Sequence, residues 1–189
     1  MGTEIVRFDA LTRVVHWLMA ALVVTALVAG AGMVHWWGES AALRTLHMTV
    51  GVGVLVFALV RVVNRVLRRG PGAFARLGPV ERWLAGASEI LMYALLLAQP
   101  LIGWAMVSAS GGEVQLAGGV ELPALVPADW QLYERLRPLH TYFGYALLAV
   151  FTAHICAIAF HALVLRDGLL SRMLFGRKRV APVRASVDE

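Results

Sequence analysis

A single cysteine, Cys156, stands in 189 residues, which excludes an intrachain disulfide and any scaffold stapled by cystines. No Cys-x-x-Cys-His run occurs, so covalent c-type haem attachment is absent, and no His-Glu-x-x-His run offers a helical zinc-protease site. Charge is scarce at 15%, and acid scarcer than base, with 12 Asp and Glu against 17 Lys and Arg. That is far less charge than an ordinary soluble domain carries. The Gly51-Val52-Gly53 pair lies inside an apolar run with no strand leading into a glycine loop, so it means nothing for phosphate.

What the chain has in quantity is apolar side chain, 59% of all residues. Four runs, roughly 14–34, 44–66, 83–107 and 138–165, reach the length of about 20 residues that a helix needs to cross a bilayer core. The expected fold is all-α: an integral membrane four-helix bundle over 1–175, followed by a basic cytoplasmic tail over 176–189. The first run starts beside arginines and ends in Ala29-Gly30-Ala31-Gly32, as a secretory signal does. It exceeds the signal core of about 7–15 residues and three more runs follow, so it is expected to remain as a helix.

The pI near 10.1 does not point to nucleic acid, because the basic residues sort by side. Arg7 and Arg13 precede the first run, Arg61, Arg65, Arg68, Arg69, Arg76 and Arg82 surround the second connection, and Arg166, Arg172, Arg177, Lys178, Arg179 and Arg184 follow the last. Arg44, Arg135 and Arg137 fall on the opposite side, among Glu39, Glu113, Glu121, Asp129 and Glu134. The positive-inside rule then puts both termini in the cytoplasm, with anionic membrane lipid as the neighbour of the basic charge.

Histidines interrupt these apolar runs, and ionisable residues inside a membrane mark function by default. His16 lies near the cytoplasmic end of the first run and His47 near the outer end of the second. The fourth run, uncharged between Arg137 and Arg166, carries His140, His154 and His161. Fourteen residues separate His140 from His154, just under four turns, so they share a helix face about 21 Å apart along the axis. Matching depths pairs His47 with His140 outside and His16 with His154 inside. Each pair can give two axial imidazoles to a haem iron, an arrangement that favours electron transfer. His161 matches the depth of His16 better, but its face agrees less well and it would set the irons about 31 Å apart, so it is assigned to a haem edge or a quinone. Gly51 and Gly144 follow the outer histidines by one turn and are expected to clear space for a flat macrocycle. In the third run, Glu89 reads as a neutral, hydrogen-bonded carboxyl, as one reaching toward the cytoplasmic interface, or as a proton relay, and Gln99-Pro100 as a kink. His35 reads as a loop histidine, Trp17, Trp36 and Trp37 as interfacial belts, and Asp129 as the cap of a short interfacial helix.

These residues resemble a known family. Arg13-Val-Val-His-Trp, Leu46-His-Met-Thr-Val-Gly with the trailing Val60-Arg61, Met92-Tyr-Ala-Leu-Leu-Leu-Ala-Gln-Pro-Leu-Ile-Gly-Trp, Leu139-His, His154, His161 and the exit Arg166-Asp-Gly-Leu-Leu-Ser-Arg-Met are similar to the bacterial cytochrome b561 family. The resemblance implies two non-covalent haem b groups, ligated through iron by His16, His47, His140 and His154, and electron exchange with ubiquinone or another quinone in the inner membrane. Hydrogenase-type relatives carry an extra helix, so a stand-alone cytochrome is expected. Short members look like superoxide oxidases, passing electrons from superoxide outside to quinone. There Arg44 and Arg137, each three residues before an outer ligand, serve either to steer the anion or to pair with haem propionates, while His161 and Glu89 are the quinone-side candidates. Glu89 falls near where the resemblance implies a histidine, a departure that counts against a quinone-side role carried over to it. Two rivals remain open: an anchor or cytochrome b subunit for a periplasmic dehydrogenase or hydrogenase, and a small transporter or scaffold whose histidines handle protons or pack without haem.

Overall fold

The computed structural model describes residues 9–35, 40–67 and 78–174. Trp36, Trp37, Glu39 and the basic tail expected over 176–189 lie outside the described residues. Four helices long and apolar enough to cross a membrane account for most of what is described: α1 Ala10–His35, α2 Ala41–Leu67, α3 Pro79–Ala109 and α4 Trp130–Phe160, the last prolonged by one π-helical turn, His161–Leu165. Each extends a few residues beyond the apolar run that foretold it, because polar end turns still satisfy their backbone groups best as helix. α1 packs along α2, α3 along α4, and α2 against α3, while α1 and α4 scarcely touch.

The helix ends follow local chemistry. Asp9 accepts the Thr12 amide at the start of α1, and Ser40 accepts the Leu43 amide at the start of α2. At α3, Pro79 occupies the first turn and the Glu81 carboxylate turns back to the Gly78 amide. α3 runs unbroken through Pro100. Asp129 caps a helix, as expected, but not a short one. Its carboxylate accepts from the Gln131 and Leu132 amides and opens α4, which continues through Pro138 into the membrane segment.

The connection from α3 to α4 is more ordered than its glycines and prolines suggest. Val114–Gln115 (β1) pairs antiparallel with Glu121–Leu122 (β2), and Val114 is buried. The hairpin is tied back to the bundle. The Ala117 amide donates to Thr49 Oγ1, the Leu125 amide to Ser108 Oγ, and the Trp104 indole to the Pro123 carbonyl. At the opposite end, the segment after α4 folds beneath α1, where Arg13 donates to the Leu174 carbonyl and Trp17 to the Met173 carbonyl. The bundle thus has a hairpin end and an end where the two termini of the described chain meet.

Buried apolar side chains form one slab: Met19 and Val23 of α1, Val54 and Ala58 of α2, Leu95 and Leu96 of α3, and Leu147 of α4. Every one of them lies, along its own helix, between the two histidine levels. Leu147 falls midway between His140 and His154. Outward faces stay apolar and exposed, among them Val28, Val56, Ile90 and Ile155, as a lipid-facing surface requires.

Candidate functional site

Two pairs of imidazoles face each other across the bundle. The ring centroids of His47 and His140 are 6.2 Å apart, and those of His16 and His154 are 6.4 Å apart. A nitrogen–metal bond is about 2 Å and a ring nitrogen lies about 1 Å from its centroid, so rings clasping one metal from opposite sides stand about 6 Å apart. Both pairs meet that spacing. All four rings are half-buried.

At the hairpin-end level, His47 Nδ1 donates to the Ala26 carbonyl at 3.0 Å. That bond leaves Nε2 with its lone pair directed away from the donor, the tautomer a metal ligand needs. Its cause is legible in α1. Gly30 is one turn beyond Ala26, and a Cβ there would meet His47 Cε1 at 3.1 Å and Nδ1 at 3.5 Å. His140 repeats the arrangement on α3. Its Cε1 and Nδ1 would lie 2.9 Å and 3.3 Å from a Cβ on Gly103, one turn beyond Gln99. Here Nδ1 is buried without a hydrogen-bond partner, and Nε2 lies 3.4 Å from the Gln99 side-chain nitrogen. The Gln99 amide donates to the His140 carbonyl at 2.9 Å, and its Oε1 is likewise buried and unpartnered.

The glycines against which the imidazoles themselves pack are Gly30 and Gly103, on the helices facing each histidine, a role separate from the one read from sequence for Gly51 and Gly144. Gly144 makes room for the Gln99 side chain, with a Cβ there 3.2 Å from Nε2, and Gly51 faces open space. Gly30 belongs to the Ala-Gly-Ala-Gly run that had suggested a signal.

At the other level, His16 Nδ1 accepts from the Arg61 guanidinium at 2.5 Å, and Arg61 Nε donates to the Tyr93 hydroxyl at 3.3 Å. Arg61 also lies 5.8 Å from the Tyr93 ring centre. Neither residue was recognised from sequence as part of a site. The signal was the fourteen-residue spacing already used on α4: it also links His47 to Arg61 on α2 and His16 to Gly30 on α1.

The remaining candidates sit around these levels. His161 opens the π-helical turn, and its Nδ1 donates to the Asp167 carboxylate at 2.6 Å. Glu89 is an ionic partner of Arg65 at 3.0 Å, which replaces the neutral carboxyl considered from sequence. Arg44 and Arg137 are exposed at the hairpin end. His35 ends α1 rather than lying in a loop, with Nε2 3.5 Å from the Tyr145 hydroxyl.

Among the described residues no cluster of three or more His, Cys, Asp and Glu exists that could hold a bare ion. The chemistry offered is instead pairs of imidazoles with an apolar slab between them, which fits a flat metal-bearing macrocycle gripped axially. That is the donor set of an electron-transfer haem protein of the membrane. The family profile described as prokaryotic cytochrome b561 matches residues 7–176, and the chain belongs to that family. It is a multi-pass bacterial membrane cytochrome that binds haem b and transfers electrons.

Among curated proteins it is similar to cytochrome b561 homolog 2 of Escherichia coli K12, 25% identical over 171 residues, covering 89% of this chain and 91% of that one. It is similar also to the probable superoxide oxidase CybB of Yersinia pestis, 25% identical over 175 residues, covering 89% and 96%. Cytochrome b562 of Cereibacter sphaeroides is 29% identical over 166 residues, covering 84% and 89%.

Proposed function

We propose that the chain holds two haem b groups, one between His47 and His140 and one between His16 and His154, and carries electrons from a donor at the hairpin end to membrane quinone at the other. The observation that carries this reading is the pair of imidazole couples with centroids 6.2 and 6.4 Å apart at opposite ends of the apolar slab. The hairpin end is taken as periplasmic. Arg13, Arg61, Arg65, Arg82, Arg166 and Arg172 gather toward the other end, while Glu113, Glu121, Asp129 and Glu134 lie around the hairpin. Both termini are then cytoplasmic.

A haem held by His47 and His140, or by His16 and His154, would supply one-electron chemistry and offer no position for direct ligation. The chain's own residues do the rest. The Ala26 carbonyl fixes His47, the Gln99–Gly103 turn cradles His140, and the slab from Met19 to Leu147 keeps water out between the levels. Exposed Arg44 and Arg137 attract an anionic donor by long-range electrostatics. Superoxide suits that role: two superoxide anions release two electrons and become dioxygen, and one quinone takes up both electrons with two protons. The His161–Asp167 hydrogen bond at the cytoplasmic edge provides a proton-handling couple where quinone would bind, and the Glu89–Arg65 pair lies toward the same end of the bundle. The name of the Yersinia pestis relative favours superoxide over other anionic donors.

The test uses purified protein in detergent. Dithionite should produce the sharp α-band of low-spin haem b, and superoxide generated in the presence of ubiquinone should yield quinol faster than without protein. A colourless folded protein contradicts the reading. A haem-loaded protein that superoxide does not reduce removes superoxide as donor, and recovery of a bound soluble subunit would then mark the chain as a membrane anchor.

A further inference from the structure

The paired imidazoles leave one sequence motif without a task, the exit run Arg166-Asp-Gly-Leu-Leu-Ser-Arg-Met. Locally it is a built corner. Arg166 and Gly168 both stand in the left-handed region, at φ 50° and 76°, which is rare for an arginine. Together they turn the chain sharply off the axis of α4. Asp167 fixes the corner: one carboxylate oxygen holds His161 Nδ1 at 2.6 Å and the other accepts the Leu169 amide at 3.0 Å. Ser171 Oγ closes on the Gly168 carbonyl at 2.6 Å, and Leu170–Arg172 add one 3-10 turn. The corner thereby presents two backbone carbonyls, those of Met173 and Leu174, to α1.

Two long side chains of α1 receive them. Trp17 Nε1 donates to the Met173 carbonyl and Arg13 Nη1 to the Leu174 carbonyl, each at 2.9 Å. A belt tryptophan ordinarily leaves its indole N–H in the headgroup region. This one gives it to the backbone of its own chain. The helices pack as an open arc, α1 on α2, α2 on α3 and α3 on α4. His16 and His154 sit on the first and last members of that arc, so three helix interfaces intervene between rings only 6.4 Å apart. Across the open side, the hairpin end has the Tyr145–His35 contact, at a long 3.5 Å. At the other end the exit segment makes the link. Trp17 also meets His16 edge-on, ring centroids 5.5 Å apart, so its bond to Met173 bears directly on that ring.

We infer that residues 166–174 form a strap that sets the distance of α1 from α4, and that Trp17 and Arg13 act through it as positioning residues for the His16/His154 pair. The spacing follows from the geometry alone; its use for haem rests on the two-haem reading. The strap serves one level only. His47 and His140 are seated against Gly30 and Gly103 of neighbouring helices, so a slack strap leaves them in place.

Two measurements on purified, haem-loaded protein test this. Gadolinium labels on the exposed native Cys156 of α4 and on Leu11→Cys of α1 report the distance between these helices by pulsed EPR. The parent should give one narrow distribution, and Arg13→Met combined with Trp17→Phe a longer and broader one. Transfer of haem to excess apomyoglobin reports retention at each level, since His47→Ala protein keeps the inner haem and His154→Ala protein the outer. The double variant should release the inner haem roughly tenfold faster, the scale of two lost hydrogen bonds, and the outer haem at the parent rate. Arg13→Lys keeps a donor for the Leu174 carbonyl and should stay near the parent, as should Trp83→Phe, an exposed indole on α3. Gly168→Ala disturbs the strap without touching α1 and should reproduce the selective loss, which decides the matter if the double variant does not fold. An unchanged distance distribution, or equal acceleration at both levels, overturns the inference. A parent without an inner haem overturns the two-haem reading instead, and the distance measurement still judges the strap.

Discussion

Gly103 lies flat against the imidazole of His140: a Cβ at that position would approach Cε1 to 2.9 Å, closer than real side chains come. The ring occupies the place where a side chain of α3 would otherwise be. Overfilling a packed contact costs about 1–3 kcal/mol, and here the strain falls on a group that must aim at its partner 6.2 Å away. Gly103→Ala should therefore yield a folded protein with about half the haem of the parent, the loss confined to the His47/His140 level. Gly86→Ala, where no atom lies within 4 Å, should retain its full complement. Haem-to-protein ratios of the two variants check this directly.

Asp129 is worth measuring because it turns a loop into the first turn of a membrane helix. Its carboxylate accepts the Gln131 and Leu132 amides at 2.9 and 3.1 Å, and its own amide donates to the Ala109 carbonyl, joining the ends of α3 and α4. Loss of an N-cap costs about 1 kcal/mol. Thermal unfolding in detergent should show Asp129→Ala destabilised by that order, and Asp129→Asn or Asp129→Ser by less.

Asp167 gives the account a pH dependence. Slight burial raises its carboxyl, but the Leu169 amide, the His161 ring and the Arg172 charge outweigh that and hold it below the ordinary value of 3.8. A depressed carboxylate contributes stability that is full above its unfolded value and disappears as pH falls through its folded value. The difference in melting temperature between the parent and Asp167→Ala should therefore stay level between about pH 5 and 8. It should shrink only in acid, below 3.8. A difference that vanished near neutrality would show that the carboxylate does not hold the turn.

The four spans were legible from composition because a membrane demands long uninterrupted apolar helices and nothing else in this chain competes with that demand. The histidine couples were legible from depth and from the fourteen-residue spacing, since a rigid helix converts spacing into position. What escaped was every contribution made by backbone or by absence. The Ala26 carbonyl is invisible in a sequence, and Gly30 and Gly103 act only through the side chain they lack, on helices other than the histidine's own. Gly51 and Gly144 stood out from sequence because they share a helix with His47 and His140. Arg61 entered as a topology charge and as part of the family resemblance, with no role at a site, since nothing along α2 reveals that it turns inward to His16 and Tyr93. The hairpin at Val114–Leu122 escaped because two-residue strands leave no alternation to detect.

The central claim is that two levels of paired imidazoles each hold one haem, and counting haem per chain tests it most directly. The purified parent should carry two, and His47→Ala and His154→Ala should each carry one while remaining folded, with the survivor still low-spin. A parent with a single haem, or either variant retaining two, would contradict the account.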